Sequence, residues 1–291
     1  AVYPPCRPDR ALLVDQPEAF TGWLARLGEQ ADVEITHFDD FLTALDRRHE
    51  AFHNVGCRLS DHDVPEVLCH PCSHEAAAGI FSRAVQGESI EPMRTRQFGA
   101  TMMLFFGRLD ARRGWTKQMH VGALRNKNSR LMVEVGADVG CDSIGDRPNA
   151  VQLSAYLDLL ESEKALPKTI VYNLNPSDNY AIATVLGNFQ GGGQAGRLQW
   201  GAAWWYNDQW QGVTRHLDDL SNLGLLSEFV GMLTDSRSLL SFPRHEYYRR
   251  CLCELLGQDL ERGALPDDEA MLGELVRKLC YENANQYFGF G

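Results

Sequence analysis

The chain has 291 residues, 44% hydrophobic and 23% charged, with a formal net charge of −11. That is a globular composition with room for one large α/β domain, since barrels of roughly 250 residues fold as a unit. The acidity excludes a global basic footprint for nucleic acid, and no apolar run of about 18 residues offers a transmembrane helix.

Val2 to Cys6 reads as a strand, ended by Arg7-Pro8-Asp9. Pro17 to Gly28 reads as a helix with Phe20, Trp23, Leu24 and Leu27 on one face. A second helix runs from Phe38 to His53, with Phe41, Leu42, Leu45 and Phe52 in its stripe. Gly56 to His62 is expected as a short strand with a polar end. Helices follow at Pro71 to Val85 and Met93 to Arg112, then a strand at Thr116 to Val121. Val151 to Ser162 is a helix, Thr169 to Leu174 a strand, and Tyr180 to Phe189 a helix. Leu198 to Trp204 and Phe229 to Leu233 read as strands around a helix at His216 to Leu226. From Arg244 to Phe288 the pattern is helical, with a break between Leu256 and Pro266.

This alternation of strands and helices implies a parallel sheet in a single domain. The first βα turn has no Gly-x-Gly-x-x-Gly, and Gly191-Gly192-Gly193 lies between a helix and a strand, the wrong place for a phosphate cradle. The eight cysteines are scattered and no secretory signal is present, which favours free thiols. Cys69-His70-Pro71-Cys72-Ser73-His74 has the look of half a zinc ribbon, but a structural site needs a second spaced pair.

Nearly every expected strand ends in polar residues, and a barrel gathers those ends at one rim. They are Arg7, Asp9, Arg58, Asp61, His62, His120, Arg125, Trp204, Trp205, Asn207, Asp208, Asp235 and Arg237. Singly, such an Asp is most often a helix cap and such a His a surface or core residue; their joint placement carries the signal. His120 and Asp235 are suitable ligands for a divalent metal, though two ligands rarely hold a catalytic ion. Several arginines at one rim suit an anionic substrate and a developing oxyanion.

Long stretches carry a family resemblance. They are Arg7-Pro8-Asp9, Gly56-Cys57-Arg58-Leu59-Ser60-Asp61-His62, Met119-His120-Val121-Gly122-Ala123-Leu124-Arg125-Asn126, Leu174-Asn175-Pro176, Ala203-Trp204-Trp205-Tyr206-Asn207-Asp208 and Gly231-Met232-Leu233-Thr234-Asp235-Ser236-Arg237-Ser238. With these, in this order, the chain resembles uronate isomerase (glucuronate isomerase) of the amidohydrolase superfamily. The resemblance implies a distorted (β/α)8 TIM barrel of the metal-dependent hydrolase type. Residues 1–291 would form one barrel domain, strands three to eight plus C-terminal helices. It implies interconversion of D-glucuronate with D-fructuronate and of D-galacturonate with D-tagaturonate. Asp235, Arg237 and His120 would be catalytic, and Arg7, Asp61, Arg125 and Trp204 would bind substrate. A divalent metal, zinc, would take Asp235 as a ligand, in a cytoplasmic homo-oligomer.

The six expected strands fall two short of a closed barrel, and the family's His-x-His ligand pair does not occur in the sequence. The first two strands and half of the metal site are therefore expected to lie before residue 1. A metal-dependent hydrolase of the same superfamily and a non-catalytic fragment are the alternatives, the first opposed by the arginines and the Ala203-Trp204-Trp205 stretch.

Overall fold

A computed structural model of the chain describes residues 3–191, 193–236 and 238–289. In chain order these form α1 (Pro17–Ala31), α2 (Phe38–Asn54), β1 (Leu59–Val64), α3 (His74–Val85), α4 (Pro92–Arg113), β2 (Thr116–Val121), β3 (Ala123–Leu124) and α5 (Ser129–Glu134). There follow β4 (Ser143–Ile144), α6 (Asn149–Ser162), β5 (Lys168–Asn173), α7 (Asn179–Gly187), β6 (Leu198–Trp200), α8 (Trp210–Leu223), α9 (Pro243–Glu261), α10 (Glu269–Arg277) and α11 (Asn283–Phe288). The main sheet has the order β1-β2-β5-β6, and β3 pairs antiparallel with β4. Strands β5 and β6 are parallel, with Val171 opposite Trp200, as helical crossovers require.

The chain divides into two compact units, residues 1–63, 67–118 and 151–168 in the first and 64–66, 119–150 and 169–291 in the second. In the first, α1 starts at Pro17, whose fixed φ suits the first helical position, and buries Phe20, Leu24, Leu27 and Ala31 on one stripe. Phe20 meets Phe41 edge-on at 5.9 Å and Phe81 at 6.0 Å, while Phe41 stacks on Phe81 at 5.2 Å. This aromatic cluster joins α1, α2 and α3, each such pair contributing about 1 kcal/mol beyond its buried area. In the second unit, β5 and β6 present an almost wholly buried surface, as a strand covered on both faces must.

Several expectations shift, each for a local reason. Val2 lies outside the described residues, and Cys6 makes a single parallel bridge to Ser60 rather than a ladder, with Pro4 and Pro5 lacking the N–H a ladder needs. The strand expected from Gly56 begins at Leu59: Gly56 has φ +94°, and the Tyr3 ring would lie 2.5 Å from any Cβ there. Arg58 therefore precedes β1 instead of ending a strand, and its guanidinium donates to the His53 and Cys57 carbonyls. Helix α3 begins at His74, capped by Ser73, whose hydroxyl accepts from the Ala76 N–H. Helix α8 starts six residues before the expected His216, because the Gln209 side chain accepts from the N–H groups of Gln211 and Gly212.

Strand β6 stops at Trp200, short of the expected Trp204. Phe229 to Leu233 forms no ladder: the Val230 N–H donates to the Gln199 side chain, which in turn donates to the Glu228 carbonyl. One glutamine thus satisfies backbone that a neighbouring strand would otherwise hold.

Candidate active site

In the second unit the site is built around Trp204. His120, on β2, stacks on Tyr172 of β5 with ring centroids 4.6 Å apart and planes 8° from parallel. Its ring lies 4.8 Å from that of Trp204, which is buried. The Trp204 indole N–H donates to Asp235 Oδ2 at 2.9 Å, a charge-assisted bond that fixes one carboxylate oxygen. Asp235 has φ 45° and Trp205 φ 48°, left-handed conformations that cost a non-glycine residue of the order of 1 kcal/mol each and gather at functional sites. The Arg125 guanidinium sits 4.9 Å over the Trp205 ring and pairs with Asp138 at 3.1 Å. His120, Trp204, Asp235 and Arg125 thus line one aromatic wall. Arg237, predicted beside them, lies outside the described residues.

Tyr172 and Arg244 also belong to this region although the sequence reading did not select them. Arg244 donates to the Thr234 carbonyl and pairs with Asp208, so it braces the segment that carries Asp235. The spacing of Tyr172 on an apolar strand marked it only as core.

In the first unit, Arg7 stands between two carboxylates: its Nε is 3.7 Å from Asp9 and 3.5 Å from Asp61. Its side chain is 45% exposed, so it can meet a ligand. Asp9 also accepts from the Asp63 N–H at 3.0 Å and lies 3.1 Å from His62 Nδ1. Behind His62 is a buried set that sequence did not reveal. Lys117 and Asp110 are both fully buried and meet at 2.9 Å. Asp110 further accepts from the Ser60 hydroxyl at 2.7 Å and contacts His49 Nε2 at 3.0 Å. Burial alone would raise the Asp110 carboxyl, but Lys117 and His49 hold it below the ordinary carboxylate range.

The donors present do not amount to a metal centre. His120 and Asp235 are two, and a catalytic zinc takes three protein ligands. Among the described residues no three His, Cys, Asp or Glu side chains come together as a ligand set. The Cys69 stretch is no exception: the Cys72 amide donates to Thr101 Oγ1, and His74 pairs with Asp39.

An α/β fold with a parallel sheet and its chemistry gathered at βα junctions defines a class of barrel-type enzyme scaffold. Within that class, residues 1–288 match the glucuronate isomerase family, and the chain belongs to it. It is 51% identical over 287 residues to the uronate isomerase of Opitutus terrae, covering 99% of this chain and 61% of that protein. It is 47% identical to that of Caldicellulosiruptor bescii, over 99% of this chain and 62% of the relative. Among solved structures, uronate isomerase from Thermotoga maritima superimposes with a TM-score of 0.90 at 33% identity, over 98% of this chain and 61% of that one. Glucuronate isomerase from Caulobacter crescentus shares the fold with a TM-score of 0.88 at 24% identity, over 99% of this chain and 58% of that one. The chain spans about three-fifths of the length of the curated relatives it matches.

Proposed function

We propose that the protein is an aldose–ketose isomerase that interconverts D-glucuronate and D-fructuronate, and D-galacturonate and D-tagaturonate. The observation that supports this most is the family match across residues 1–288, joined to a carboxylate, Asp235, oriented by an indole N–H. The chemistry moves one proton between neighbouring carbons of an open-chain sugar acid. Asp235 takes the proton from C2 and the C1 carbonyl oxygen takes up the electron pair as an enediolate; the C2 hydroxyl proton passes to O1, and the proton held by Asp235 is returned to C1 as O2 becomes the ketone oxygen. We assign to His120 and Arg237 the stabilisation of the enediolate charge. The family resemblance assigns substrate binding to Arg7, whose guanidinium fork suits the carboxylate, and also to Asp61 and Arg125. Trp204 walls the pocket and keeps water from the enediolate.

A divalent ion, zinc by donor chemistry, with Asp235 as a ligand belongs to this reading, but no step is routed through it because two donors do not make a site. One barrel domain, a cytoplasmic setting and a homo-oligomeric state belong to it as well. All eight cysteines are free thiols, in keeping with a reducing compartment. Among the described residues no helix is long and apolar enough to cross a membrane.

The test is to incubate the enzyme, supplied with divalent metal, with D-glucuronate and to follow the ketose. Ketose should form, and Asp235→Asn should lower kcat by about a hundredfold or more while the circular dichroism spectrum is unchanged. No ketose from the unaltered enzyme would overturn the assignment; near-normal turnover by the variant would overturn the role of Asp235.

A further inference from the structure

Arg7 is held by ion pairs, not by hydrogen bonds. At 3.5 and 3.7 Å the two carboxylates are beyond good bonding distance, and both make their closest approach to Nε. That arrangement holds the guanidinium by its Nε edge. One of the two carboxylates, Asp9, is itself fixed at three points: by Arg7, by the Asp63 N–H and by His62 Nδ1.

His62 makes the hold on Asp9 directional. Its ring is fully buried, with Lys117 Nζ 2.8 Å from Nε2. Lys117 lies 2.9 Å from Asp110, so it carries its proton, and an ammonium can only donate. Nε2 must then be the acceptor, which places the imidazole proton on Nδ1, where it donates to Asp9 Oδ1. Burial and the neighbouring Lys117 charge both disfavour a second proton on this ring, so the neutral tautomer persists. The resulting line runs Asp110, Lys117, His62, Asp9, Arg7, with every proton assigned. Its inner half is fully buried, and its outer end is a half-exposed guanidinium.

We propose that Asp9, held by the Lys117–His62 relay, is the positioning residue for Arg7 and thereby sets recognition of the substrate carboxylate. Asp9 touches no reacting atom; it acts through Arg7. The same relay explains why a neutral histidine and a buried lysine occupy the wall behind an anion-binding arginine. It makes Arg7 a pre-oriented fork that need not be ordered by the ligand, which is where affinity for a small anion is gained or lost. The proposal rests on the isomerase reading above.

The experiment compares the unaltered enzyme with Asp9→Asn, Arg7→Met and the double variant, using D-glucuronate as substrate. Asn keeps the size and removes the charge. Asp9→Asn should raise KM about tenfold or more with kcat within about threefold, the size expected for one charge-assisted contact. In the Arg7→Met background the same change should leave KM unaltered, because nothing remains to position. Equal effects of Asp9→Asn in both backgrounds would overturn the positioning role and leave the isomerase reading intact. Absence of turnover in the unaltered enzyme would instead overturn that reading.

A second measurement does not depend on any variant folding. Nitrogen-15 spectra of histidine-labelled protein should show His62 neutral with its proton on Nδ1. A native His62 protonated on Nε2 alone would overturn the relay.

Discussion

His216 offers a direct test of how the second unit handles a buried titratable group. Its ring packs edge-on against Trp200 at 4.3 Å and lies 5.4 Å from Phe229. It is 4% exposed, and among the described residues its Nε2 has no hydrogen-bond partner. Burial pushes the imidazole from 6.5 down to about 4, against the pull of hydrogen bonds to the backbone at Gly201 and Trp200. The folded state therefore keeps it neutral while the unfolded chain binds a proton below pH 6.5. Where the unfolded state binds more protons, stability rises with pH, so this residue removes stability as pH falls from about 6.5 to about 4. Integrated over that window the loss is roughly 3 kcal/mol. His216→Phe keeps a ring between Trp200 and Phe229 and removes the titration. Near pH 7.5 it should alter stability by only about 1 kcal/mol, the cost of one backbone-directed hydrogen bond. By pH 4 it should be less sensitive to acid than the unaltered protein by roughly 3 kcal/mol. Urea unfolding followed by circular dichroism at several pH values measures the difference. Parallel pH profiles for the two proteins would refute the argument, since His62 and His49 titrate in both and cancel.

Two further outcomes follow from the geometry around Asp235. Trp204→Phe keeps the aromatic wall and deletes the N–H bound to Asp235 Oδ2; loss of such a bond to a charged acceptor should lower kcat tenfold or more, by roughly 1.5 kcal/mol, with KM nearly unchanged. Steady-state kinetics with D-glucuronate reads this, and an unchanged kcat would count against Asp235 as the base. Gly231→Ala tests the backbone that leads to Asp235: Gly231 has φ +82°, and a Cβ there would lie 2.3 Å from the Leu279 carbonyl oxygen. Strain and clash together should cost about 3 kcal/mol or more, measured by urea unfolding, and a loss below about 1 kcal/mol would show that the Leu279 turn yields.

The parts of the fold that sequence revealed are those where a single element carries its own signal. The stripe Phe20, Leu24 and Leu27 in α1, and the β2 strand Thr116 to Val121, follow from periodicity and composition alone. The misread parts are those where a side chain from elsewhere takes over a backbone group. Gln199 occupies the amide of Val230 and cancels an expected strand, and Gln209 starts α8 in place of the usual Ser, Thr, Asp or Asn. The candidate site divides in the same way. Trp204, Asp235 and Arg7 were singled out because they stand in polar clusters after apolar runs, and His120 as a histidine near the end of a strand. Tyr172 and Lys117 were not, because each sits inside a strand, where an aromatic reads as core and a lysine reads as an exposed alternate position.

Lys117 is the more instructive of the two. Taking a lysine and an aspartate out of water costs several kcal/mol per ion, and their attraction rarely returns a net gain over apolar residues of equal size. Stability therefore does not account for Lys117, on β2, and Asp110, on α4, at zero exposure. What the pair does supply is a fixed proton donor at His62 Nε2, which an apolar core could not provide. Through His62 that donor determines which atom faces Asp9, and through Asp9 it reaches the arginine assigned to the substrate carboxylate. The buried charges are best understood as belonging to the binding site, although they lie in the core.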